Sequence, residues 1–150
     1  MRHRLLVALG ALLLAAPMLL AIPAPAGAES SGSPMCKSLG QLGKLDARYS
    51  NVLASSSSWQ DSLDALNQLT PKLNKAWKSV IKRVPAKQKA DAKLVAGFTK
   101  RVLSKIGDTK SQQDAAQIIL QDPDALSAGR ASQRLESFSQ AKCGVSINNE

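Results

Sequence analysis

Imidazole is almost missing from this chain. The single histidine is His3, in a short basic leader ahead of a long apolar run. Past that point no histidine remains to bind a metal or act as a base, which removes most metal sites and every histidine-dependent triad. Cysteine is nearly as scarce. Cys36 and Cys143 allow one disulfide and exclude a four-cysteine zinc site or a dense disulfide scaffold. Aromatic residues make up 3% of the chain, so a core has to be assembled mainly from Leu, Ile, Val and Ala. Strand signals are lacking: no apolar/polar alternation is sustained and no Asn-Gly turn occurs. There is no glycine-rich phosphate loop either; Gly40 and Gly43 stand alone in a helical pattern, placed for close packing.

What is present begins with an export signal. Arg2 and Arg4 precede an apolar stretch from Leu5 to Ile22, and Pro-Ala-Pro-Ala-Gly-Ala follows. These are the three regions of a signal peptide over 1–28, with cleavage expected between Ala28 and Glu29. A retained membrane anchor is the competing reading, disfavoured by Pro17, Pro23 and Pro25. Cys36 lies too far beyond the apolar run for lipid attachment, and His3 separates the arginines of what would be a twin-arginine pair. Removal of the signal leaves 122 of the 150 residues. That is enough for one hydrophobic core without a metal, in a protein secreted to the exterior or the cell envelope with no remaining transmembrane segment.

Helical spacing dominates the mature chain. Leu39, Leu42, Leu45, Tyr49 and Val52/Leu53 form a first stripe. Ser58 to Asp61 has capping-box spacing and opens a second through Leu63, Leu66 and Leu69. Pro71 either starts a new helix after Thr70 or kinks a long one. Leu73, Trp77, Val80, Ile81 and Val84 follow, and Pro85 interrupts. Leu94, Phe98, Val102 and Ile106 make the next helix, ending at Gly107. Ser111 caps a short helix through Leu120, and Asp122-Pro123 repeats a cap-then-proline start ahead of Leu126, Leu135 and Phe138. The expected fold is all-α, a four- to five-helix bundle over 36–144 with flexible tails at 29–35 and 145–150. Export places Cys36 and Cys143 in an oxidising compartment, where a bond between them closes the bundle. For a loop of roughly 100 residues the chain-entropy model gives about 4.7 kcal/mol as an upper figure.

An early Cys36, several helices broken at Pro85 and a terminal Cys143-Gly144, all behind a signal peptide, resemble the small secreted or lipid-anchored helical proteins of actinobacteria. The resemblance covers the mature chain and implies a helical architecture. It carries no catalytic motif, and this chain departs from the lipoproteins among them by lacking a lipidation site.

Charge is unevenly placed. The chain is +9, yet residues 72–110 hold twelve basic and two acidic side chains, a net +10, while the segments on either side are slightly acidic. Lys72, Lys75, Lys78, Lys82 and Arg83 avoid the apolar stripe of their helix, and Lys87, Lys89 and Lys93 open the next one. Such a hairpin draws anionic polymers or lipid surfaces of the envelope, such as wall phosphates. Nucleic acid is disfavoured, because no recognition motif or stacking platform accompanies the charge. The plainer reading is a solvated face kept for solubility.

Catalytic chemistry finds little support. Asp61 and Asp64 share a helix face, but capping accounts for Asp61. Asp122 and Asp124 suit a helix N-terminus and lack the further oxygens that calcium requires. Ser55 to Ser58 have no base. Trp59, Trp77 and Tyr49 are candidates to line an apolar pocket, though core packing explains them more simply. The expected function is therefore non-enzymatic binding, without cofactor or metal, to an anionic polymer or surface through Lys72, Lys75, Lys78, Lys82, Arg83, Lys87, Lys89 and Lys93. The alternatives are a protein-interaction module or inhibitor and a carrier of a small apolar ligand.

Overall fold

Serine caps and proline breaks divide the chain into five α-helices in the computed structural model, which describes residues 32–148. The expected signal peptide and its cleavage site at Ala28 and Glu29 lie outside the described residues. α1 spans Pro34–Ser55, and the Ser33 side chain accepts from the Cys36 amide at 3.2 Å. Ser58 caps α2, Trp59–Arg83, through the Asp61 amide at 3.1 Å. Each cap satisfies one of the amides that a helix start leaves without a partner. Pro85 precedes α3, Ala86–Ile106, and Ser111 caps α4, Gln112–Gln121, through the Asp114 amide. α5 runs over Ala125–Cys143 and ends at Gly144, whose φ of 63° is a left-handed turn that favours glycine.

Pro71 does not start a helix. α2 is continuous through it, and Thr70 turns its hydroxyl back to donate to the Leu66 carbonyl at 2.8 Å. Both Pro71 and Asn67 are exposed, so the carbonyl that loses its amide partner faces water. Leu66 and Leu73, buried on either side, hold the two halves in register with the core. At the other proline start, Asp122 ends α4, and Asp124 rather than Asp122 precedes α5.

The turn at 56–58 folds α2 back along α1, and the hydroxyls of Ser38 and Ser79 meet at 3.2 Å across that hairpin. Two residues, Val84 and Pro85, return the chain into α3. α5 packs chiefly on α3, which leaves only a thin direct seam between α5 and α1. The main core gathers Leu39, Leu42, Leu73, Trp77, Val80, Val95, Ala131 and Leu135. A smaller cluster of Leu63, Leu66, Val102, Ile106 and Ala115 closes the opposite end. Trp59 packs on this second cluster, and its indole N–H donates to the Thr109 carbonyl at 3.1 Å.

Cys36 and Cys143 form a disulfide with Cα atoms 5.3 Å apart, joining the first turn of α1 to the last of α5. Both expected tails are shorter than the sequence suggests. Pro34 and Met35 belong to α1, with Met35 buried, because Ser33 caps the helix before the cysteine is reached. Residues 145–148 are docked: Ile147 is 3% exposed in the main core. Its amide and that of Asn148 donate to Glu136 Oε2 at 2.7 and 2.9 Å. Gly43 makes room for this segment, since a Cβ there would run into the Ser146 carbonyl oxygen. Two outcomes follow for stability. Replacing both cysteines by serine lowers the unfolding free energy by about 2–5 kcal/mol, measured by denaturant titration. Gly43→Ala displaces the 145–148 segment, seen as faster amide exchange at Ile147 and Asn148 with little change in the distal cluster.

Candidate functional site

On α2, Lys72, Lys75, Ala76 and Ser79 are spaced three and four residues apart and so share one face. That face meets Gln41, Lys44, Leu45 and Arg48 of α1 across a groove of about 670 Å³. Arg48 and Lys72 also border an adjoining hollow of about 370 Å³, where Asn51, Ser55 and Gln68 continue the lining. From residue 41 to residue 55 the two hollows follow α1 for about 20 Å at the helical rise. Among the described residues, no carboxylate lines either one.

Lys44 and Arg48 escape a reading of net charge, because residues 29–71 sum to a slightly acidic segment. Helix geometry separates what the sum mixes. Lys44 and Arg48 are four residues apart and lie on one face, whereas Asp46 lies about 200° round the axis from Lys44. Asp46 instead borders a different cleft, lined by residues of all five helices.

The remaining expected cations are dispersed. Lys78 and Lys82 are exposed but do not line the groove. Arg83 folds back on its own helix to donate to the Ser79 hydroxyl and, at 3.4 Å, to its carbonyl. Lys87 and Lys93 are exposed on α3 and Lys89 is half-buried, away from the groove. Asp91 lies among them and accepts a two-pronged hydrogen bond from Arg134 of α5 at 2.9 and 2.6 Å. Arg101 is likewise engaged, pairing with Asp122 at 3.2 Å and Asp124 at 2.5 Å. Ion pairing among the described residues thus uses the arginines of α3 and α5, and none of it involves Lys44, Arg48, Lys72 or Lys75.

The carboxylates are held by structural partners. Asp61 Oδ2 accepts from the Ser57 and Ser58 hydroxyls, both at 2.7 Å, which holds its pKa below the usual carboxylate range. Asp64, also exposed, accepts from the Gln60 side chain at 3.2 Å. The Arg101 guanidinium, with the Asp124 amide, lowers the pKa of Asp122. Burial pushes Glu136 up. The Ile147 amide, Ser146 hydroxyl, Asn148 amide and Gln140 side chain outweigh it, and the net shift is downward. Of the expected aromatic candidates, Trp77 lines the cleft that Asp46 borders, while Trp59 and Tyr49 pack on the distal cluster. No three His, Cys, Asp or Glu side chains converge as a metal site among the described residues, and no helix there is long and apolar enough to cross a membrane.

No protein-family model, curated protein or solved structure matches the chain.

Because Glu136 is shifted down on folding, the stabilisation it lends to residues 145–148 is complete above the ordinary glutamate pKa of about 4.3. It is lost as pH falls through the lowered value. The protection of the Ile147 and Asn148 amides against exchange, taken relative to the intrinsic rate at each pH, therefore falls on acidification below about pH 4. Glu136→Gln produces the same loss of protection at neutral pH.

Proposed function

We propose that this protein is exported and acts by binding, engaging an anionic polymer of the cell envelope along the α1–α2 groove. The carrying observation is the convergence of Lys44, Arg48, Lys72 and Lys75 from two helices onto one channel that no carboxylate lines among the described residues. Four cations facing one channel raise the local concentration of anions, and each phosphate they neutralise releases condensed counterions. A concave channel about 20 Å long suits a flexible phosphate chain better than a flat bilayer, because the chain can lie along it. Gln41, Asn51, Ser55, Gln68 and Ser79 add uncharged hydrogen-bonding groups to the same path. A surface kept charged only for solubility needs neither this convergence nor the exclusion of acids from it. The disulfide fits an oxidising destination.

The test is retention of the purified protein on an immobilised wall-type phosphate polymer as salt is raised. With four phosphate contacts, affinity falls about a hundredfold between about 50 and 200 mM salt. Reversing Lys44, Arg48, Lys72 and Lys75 to glutamate abolishes retention with the helical circular-dichroism spectrum intact. Reversing Lys87, Lys89 and Lys93 weakens it much less. Equal losses from the two sets, or retention that survives the first, contradict the proposal.

A further inference from the structure

The cleft bordered by Asp46 is separate from the basic groove and has a different chemistry. Its volume is about 320 Å³, and Leu42, Leu73, Trp77 and Val95 of α1, α2 and α3 form its floor. All four are buried members of the main core. Protein interiors seldom leave gaps larger than a water molecule, whereas small-molecule sites begin at about 300 Å³. The opening exists because α5 presents only Ala125, Ala128, Gly129 and Ser132 on that side. An ideal Cβ on Gly129 meets no atom within 4 Å. Ile147 of the docked C-terminal segment closes one wall.

From these features we infer that the cleft binds one small amphiphile, an alkyl or acyl chain with an uncharged hydrogen-bonding headgroup. The space is too small for a helix, whose diameter with side chains is about 10–12 Å, but it admits a single chain. Apolar groups dominate the walls, so burial of methylenes drives binding. Asp46, Thr99, Ser132 and Asn148 supply the polar edge, where the Ser132 hydroxyl already donates to the Asn148 side-chain oxygen at 3.0 Å and the Asp46 carboxylate disfavours an anionic headgroup while it can accept from a hydroxyl. Ile119 lines the cleft and is still 38% exposed, so it adds an apolar side chain at the rim.

Decanol is the test ligand, and Trp77 reports on it in a Trp59→Phe background, where the distal indole is silent. Saturable quenching or a blue shift of Trp77, with a rise in melting temperature, is expected, since a ligand that binds only the folded state stabilises it. Gly129→Leu and Ala128→Leu fill the cleft from its edge and its floor. Each variant that retains the native melting transition weakens decanol binding about tenfold or more. Retention on the phosphate polymer is measured on the same variants and stays unchanged, so failure here is distinguishable from failure of the basic groove. Absence of a saturable Trp77 response, or equal decanol binding by a folded cleft-filling variant, overturns the inference.

Discussion

Cys36 lies in the first turn of α1 and Cys143 in the last turn of α5, and their bond joins two helices that otherwise share a thin seam. Without it the α1–α2 hairpin is tied to α5 mainly through α3. With it, 107 residues of chain separation become a Cα distance of 5.3 Å, and the unfolded chain loses much of its freedom. A noncovalent clasp sits beside the covalent one. Gly144 turns the chain back, the Ser139 hydroxyl donates to the Val145 carbonyl at 2.7 Å, and Glu136 accepts from the Ile147 and Asn148 amides. Gly43 then lets this backbone lie directly on α1. A core poor in aromatic residues is thus drawn shut at one end by a disulfide, a carboxylate and a missing side chain.

That clamp also separates two kinds of surface. Leu42 faces the cleft, with Ile147 brought against it by the clasp. Lys44 and Arg48 face away toward α2. The same helix therefore contributes an apolar wall on one side and cations on another, which is what a period of 3.6 residues does to a mixed sequence. Carboxylates are sorted as well. Asp61 serves a cap, Asp91 binds Arg134, and Asp122 with Asp124 binds Arg101. Each assignment engages an acid away from the groove, and the two that are ion pairs use arginines that lie outside it.

Much of the fold was legible where local chemistry decides it. Ser58 and Ser111 cap helices because their hydroxyls reach amides three residues on, and Pro85 breaks a helix because the pattern of buried residues also changes there. The cysteine pair follows from there being only two. Features that depend on burial were not legible. Pro71 reads locally as either a start or a kink, and the burial of both Leu66 and Leu73, which outweighs the lost hydrogen bond, keeps α2 continuous through it. Residues 145–148 read as loose because Glu136, their anchor, is spelled as one more surface charge on α5. The site was half visible. Lys72 and Lys75 stood out within a strongly basic segment. Lys44 and Arg48 did not, since Glu29, Asp46, Asp61 and Asp64 outweigh the basic residues of 29–71 in a sum, and only the helix axis shows that Asp46 points elsewhere.

The most direct measurement is a map of backbone amide chemical shifts as a soluble polyphosphate is titrated into the labelled protein at low salt. Saturable shifts concentrated at Lys44, Arg48, Lys72 and Lys75 and at Gln41, Gln68 and Ser79, with little movement at Lys87, Lys89 and Lys93, are what the groove predicts. Shifts spread evenly over the exposed lysines of α2 and α3 would contradict it and return the charge to the role of a solvated face.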